Sequence, residues 1–111
     1  MSYTGGIPEM TVSELKELMD EGKMPFLLDV RRPEEYQIAN LNGHLIQLDY
    51  LPDRLEEIES HKNEQIVVYC RSGARSGRAV QFLRAQGYDA VNLKGGVLAW
   101  SAEIDPTMPR Y

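Results

Sequence analysis

This sequence of 111 residues has one cysteine, one tryptophan, two phenylalanines and two histidines. One cysteine cannot close an internal disulfide and cannot by itself build a zinc site, so the thiol is either a buried structural group or a reactive one. No stretch approaches the roughly 18 apolar residues of a membrane span, and the opening Met-Ser-Tyr-Thr-Gly-Gly has neither a basic nor an apolar leader region. A cytoplasmic protein with no membrane partner is the expectation. There is no basic excess either: the net charge is −5, which argues against nucleic acid as a partner. Internal repeats, low-complexity tracts and linker-like stretches are all missing, so the length reads as one continuous domain.

What is present is an ordinary soluble balance, 42% hydrophobic and 26% charged, arranged unevenly. Residues 1–64 hold 14 acids against six Lys/Arg, whereas residues 65–111 hold three acids against six Lys/Arg. No acid occurs between Glu64 and Asp89, yet Arg71, Arg75, Arg78 and Arg84 all fall there, and so does Cys70. Such a run can focus a positive field on an anion.

The periodicities alternate between strand and helix. Thr11 with Glu14 three residues on has capping-box spacing, followed by Val12, Leu15, Leu18 and Met19 on one helical face and Gly22 as a stop. "FLLDV" at 26–30 suits a buried strand, and Pro33 with the acids after it suits a short helix over 33–38. "NGHLIQL" at 42–48 gives a turn and a brief extended stretch, and Leu51, Leu55 and Ile58 have helical spacing. "QIVVYC" at 65–70 is the strongest strand signal and reads as a central strand. A helix follows from about Arg75 to Gly87, and "AVNL" at 90–93 is one more strand. The tail "EIDPTMPRY" should be irregular. This order indicates parallel βαβ units in an α/β domain with helices on both faces of the sheet. Ligands bind such sheets beyond the carboxyl ends of the strands, which is where Cys70 falls.

From Cys70 to Arg75 the chain passes from buried strand to helix through Ser72, Gly73 and Ala74, small residues that let the backbone curl with its N–H groups turned inward. Those amides, the positive end of the following helix and the guanidiniums of Arg71 and Arg75 all favour a thiolate over a thiol. A free cysteine by itself is most often a small apolar plug. Two flanking arginines and a glycine-containing turn point instead to a reactive thiolate, open to attack by or on another sulfur.

"CRSGARS" at 70–76 resembles the active-site loop of rhodanese-type sulfurtransferases. "LLDVRRPEEY" at 27–36 is similar to that family's N-terminal signature, "NGHLIQL" to its glycine-histidine segment and "LKGGVLAW" at 93–100 to its C-terminal signature. The likeness covers about residues 7–101 and leaves 102–111 as an irregular tail. It implies a single rhodanese-like domain with a five-stranded, mostly parallel sheet and helices on both faces. It also implies a double displacement: Cys70 takes a sulfane sulfur from thiosulfate or a protein persulfide and passes it to a nucleophile such as cyanide. A low-pKa thiol suits this chemistry because it attacks a sulfur–sulfur bond and leaves readily. By position, Arg71 and Arg75 would hold an oxyanion or an acidic partner, and Ser72, Gly73, Ala74 and Ser76 would supply loop amides. No metal or organic cofactor is implied. "GHLIQLDYLPDRLEEI" and the ending look like the rhodanese domain carried by activating enzymes of the molybdopterin and thiocarboxylate type. This adds a cysteine desulfurase as donor and a small sulfur-carrier protein as acceptor.

Rival readings are a phosphatase or arsenate reductase, a non-catalytic interaction module and a thiol redox sensor. Loop length opposes the first: the position that a C-x5-R loop gives to arginine holds Ser76, and one residue fewer removes about 3.5 Å of chain from the ring of amides. An interaction module could dispense with the cysteine, and a sensor lacks a resolving cysteine here. Asp29 and Arg31 read as a structural ion pair at a strand end, His44 as a structural histidine, and Trp100, Tyr36, Tyr69 and Tyr88 as packing.

Overall fold

The computed structural model describes residues 6–111. The first five residues, read above for a leader, lie outside the described residues. Five strands, β1 (Glu9–Met10), β2 (Phe26–Asp29), β3 (His44–Leu45), β4 (Gln65–Tyr69) and β5 (Asp89–Leu93), form one sheet in the order β1-β5-β4-β2-β3. Every neighbouring pair is parallel. β4 is central, as its β-branched run predicts. Successive residues point to opposite faces, so Ile66 and Val68 join one apolar cluster while Val67 and Tyr69 join the other.

Helices cover both faces. α1 (Val12–Asp20) starts on the predicted capping box, with the Glu14 N–H donating to Thr11 Oγ1 at 3.1 Å and the Thr11 N–H to Glu14 Oε1 at 2.8 Å. α2 (Pro33–Ile38) starts on its proline. α3 (Ala74–Ala85) packs Ala79, Val80 and Leu83 against Val68 and Ala90, while Val12 and Leu15 of α1 share the opposite cluster with Val97 and Trp100. These last two belong to α4 (Gly96–Glu103), a helix hidden from sequence reading because two glycines precede and open it. β1, only two residues long, also has no sequence signal of its own.

The segment after β3 departs from expectation. Leu48–Glu57 and Glu59–His61 are 3-10 turns rather than an α-helix, because Pro52 lies inside the first and the chain kinks at Arg54. Leu51 and Ile58 still bury themselves as their spacing predicts. Trp100, Tyr69 and Tyr88 are buried, and Tyr69 Oη accepts the N–H groups of Leu41 and Gly43 at 3.4 and 3.2 Å.

Beyond the carboxyl end of β2 sits a fully buried ion pair. Arg31 Nη2 donates to Asp29 Oδ2 at 2.8 Å, and Nε donates to Oδ1 at 3.0 Å. The remaining Arg31 donors reach Ala39 O at 2.6 Å and Tyr111 Oη at 2.7 Å. A guanidinium this dry is tolerated because its hydrogens meet oxygen. His44 Nε2 pairs with Glu57 Oε1 at 2.7 Å on an exposed edge.

Candidate active site

β4 ends at Tyr69 and α3 begins at Ala74, so Cys70–Gly73 must turn the chain over the carboxyl edge of the sheet. Gly73 makes the turn with φ of 108°, which side chains oppose. Its N–H then points back and donates to Cys70 Sγ at 3.1 Å, and Ser76 Oγ lies 3.3 Å from the same sulfur. Burial pushes the Cys70 thiol up, but the Ser76 hydroxyl and the N–H groups of Ser76, Gly73 and Ser72 together hold it below the ordinary thiol value. The Gly73 amide turns inward onto the sulfur, and the Ser76 hydroxyl lies beside it.

Two expectations need correction. Cys70 is not open to solvent: it is 1% exposed and belongs to the apolar cluster beneath α3. β4 feeds it directly into the core with the alternation of Ile66 and Val68, so it is a packed side chain and a hydrogen-bonded sulfur at once. Nor do the arginines donate to the sulfur among the described residues. Arg71 donates through Nε and Nη2 to the main-chain oxygen of Tyr111, whose ring lies 5.3 Å from its guanidinium. Arg75 donates to both carboxylate oxygens of Glu35. Ala74 opens the helix and is not among the hydrogen-bond partners of the sulfur in the described residues.

Two further elements fix the loop. The N–H groups of Val97 and Leu98, in the first turn of α4, donate to Cys70 O at 3.0 Å and Arg71 O at 3.1 Å. Gly96 permits this approach, since a Cβ there would lie 2.6 Å from Arg71 O, closer still to Cys70 O, on a backbone with φ of 58°. Below the loop, buried Asn92 of β5 accepts from Ser76 Oγ at 2.6 Å and donates through Nδ2 to Gly73 O at 3.0 Å. Asn92, Glu35 and Tyr111 were not singled out from the sequence, and their separation from the loop leaves no local signal. A polar residue inside "AVNL" was the one available hint. Beside the Arg75–Glu35 pair a cleft of about 250 Å³ opens, lined by Arg32 and Arg78 with Gln47 and Asp49.

Comparison with known proteins matches the rhodanese-like domain pattern to residues 11–103. This chain belongs to the rhodanese-like family. A sulfurtransferase of Allochromatium vinosum is 35% identical over 97 residues, covering 86% of this chain and 89% of that protein. The adenylyltransferase and sulfurtransferase MOCS3-2 of Zea mays is 39% identical over 109 residues, 92% of this chain. The chain spans only 23% of that longer relative. Among solved structures, a rhodanese-like domain protein from Staphylococcus aureus superposes with a TM-score of 0.78 at 39% identity, covering 85% of this chain and 91% of its own. Membership in the rhodanese-like sulfurtransferase family thus agrees with the sheet, the loop and the cysteine. No helix among the described residues is long and apolar enough to cross a membrane.

Proposed function

We propose that this domain moves a sulfane sulfur through a persulfide on Cys70. The observation that carries the reading is the Gly73 N–H donating to Sγ at 3.1 Å, with the Ser72 and Ser76 amides beside it and the Ser76 hydroxyl, shared with Asn92, at 3.3 Å. The Cys70 thiolate attacks the outer sulfur of a donor. With thiosulfate, the donor's sulfur–sulfur bond breaks and sulfite leaves with its electron pair. With a protein persulfide, the donor cysteine leaves as a thiolate. The new Cys70–S–S⁻ anion sits where the amides can hold it. A nucleophilic acceptor, cyanide in an assay, then takes the terminal sulfur and returns the Cys70 thiolate. Every step is a displacement at sulfur, so no general base is needed.

A protein persulfide, such as that of a cysteine desulfurase, suits this site better than free thiosulfate as the donor. Arg71 and Arg75 are engaged by Tyr111 and Glu35, which leaves less positive charge for a small dianion, while Arg32 and Arg78 stay exposed beside the cleft for an acidic protein surface. A small sulfur-carrier protein is the proposed acceptor, on the resemblance to the rhodanese domain of molybdopterin- and thiocarboxylate-type activating enzymes.

Intact mass after incubation with thiosulfate or a desulfurase persulfide tests the reading: one added sulfur atom is expected, removed by cyanide, and none on Cys70→Ala. Failure of both donors to load Cys70 overturns it. The burial of Cys70 favours one second reading, a non-catalytic interaction module, and the same failure would support that.

A further inference from the structure

The Ser76 hydroxyl has one hydrogen and two acceptors within reach, Asn92 Oδ1 at 2.6 Å and Cys70 Sγ at 3.3 Å. The orientation of the Asn92 amide is not free. Its Nδ2 donates to Gly73 O at 3.0 Å, so the other end facing Ser76 must be the oxygen, which only accepts. While Cys70 is a thiol, the arrangement is satisfied: Ser76 donates to Asn92, and the thiol hydrogen can point at Ser76 Oγ. Once the sulfur ionises and its proton leaves to solvent, the thiolate and Oδ1 compete for one hydroxyl hydrogen. All three side chains are buried, so water is not at hand to relieve the contest.

We infer that Asn92 is a positioning residue that governs the ionisation of Cys70 through the Ser76 hydroxyl, holding that hydrogen while the sulfur is protonated and opposing its transfer to the thiolate. Its amide nitrogen meanwhile anchors Gly73, whose N–H donates to the sulfur. The anchor has a backup, because the Gly77 N–H also donates to Gly73 O at 3.0 Å. Competition for the hydroxyl is therefore the part of its role that substitution should expose. The inference rests on the reading of Cys70 as the reacting group.

Other charges around the sulfur come from Arg75 of α3, paired with Glu35 of α2, from Arg71, bound to the tail residue Tyr111, and from the Asp29–Arg31 pair beyond β2. Asn92 hydrogen-bonds none of them, which lets its effect be separated from theirs.

The test is the pH dependence of Cys70 alkylation by iodoacetamide, in the parent, Asn92→Val, Ser76→Ala and the double variant. Asn92→Val keeps a strand-forming residue and removes the acceptor. It should move the profile to lower pH and raise the rate on the acid limb by about threefold to tenfold, the range expected when a thiolate gains an undivided hydrogen bond. Ser76→Ala should move the profile the opposite way, and in that background Asn92→Val should produce no further downward move. An unchanged profile in Asn92→Val, an upward move, or the same downward move with and without the Ser76 hydroxyl each overturns the inference. If Asn92→Val does not fold, Asn92→Ala makes the same comparison. Because alkylation needs no sulfur donor, failed persulfide loading with a coupled alkylation profile would sink the proposed function and leave this inference standing.

Discussion

Arg75 grips Glu35 with two parallel hydrogen bonds of 2.9 and 3.0 Å, tying the first turn of α3 to α2. The acid that the cysteine run lacks in sequence is thus supplied from the acidic half of the chain. Burial pushes the Glu35 carboxyl up, but Arg75 and the Arg32 N–H outweigh that and hold it below the ordinary glutamate value.

A depressed folded pKa means that stability from this pair is complete above the unfolded pKa and is lost as pH falls through the folded one. Glu35→Gln should cost about 1 kcal/mol near neutral pH, given partial screening by solvent, and its deficit against the parent should close on acidification. Urea unfolding across pH checks this. Released from its partner, Arg75 can meet an anion in the cleft, and KM for thiosulfate should fall roughly threefold, the worth of one modest ion pair.

Gly96→Ala should disable the loop. Its Cβ would press on the carbonyls of Cys70 and Arg71 from a backbone with φ of 58°. Left-handed strain and overpacking together predict a loss of about 2–4 kcal/mol. Thermal unfolding measures the loss, and persulfide loading should fall even well below the unfolding temperature.

Tyr111 joins two arginines, its hydroxyl accepting from buried Arg31 and its main-chain oxygen from Arg71. Tyr111→Phe should cost about 1–3 kcal/mol, because one hydrogen of the Arg31 guanidinium loses its acceptor. Tyr111→Ala should also lose the ring beside Arg71 and raise turnover with thiosulfate relative to a protein persulfide. Steady-state assays with the two donors decide; equal effects on both would show that the tail does not discriminate.

Asp29→Ala should be the most damaging of these changes. It strands a fully buried guanidinium with only neutral acceptors, and losses of about 3–5 kcal/mol follow from breaking such pairs. Denaturant midpoints report it directly.

Local chemistry explains what could be read from the sequence. Thr11 with Glu14, Pro33, the run Gln65–Tyr69 and the turn at Gly73 each act within a few residues, and each forms the element or bend that its chemistry predicts. The inward amides at Cys70 belong to the same class. β1 is too short to carry a period, and the glycines at the start of α4 hide a helix whose place depends on its fit beneath Cys70 and Arg71. Arg75 with Glu35, Arg71 with Tyr111 and Ser76 with Asn92 are joined only by the folded sheet. Burial of the sulfur was missed for a different reason: charge near a cysteine in sequence says little about how deeply its strand carries it.

The anchoring of the cysteine loop by Val97 and Leu98 has a temporal consequence. Residues 70–76 cannot adopt their final form until the last quarter of the chain has docked beneath them. Until α4 is in place, the Cys70 and Arg71 carbonyls lack the amides that hold them, and the turn that aims the Gly73 N–H at the sulfur is without that support.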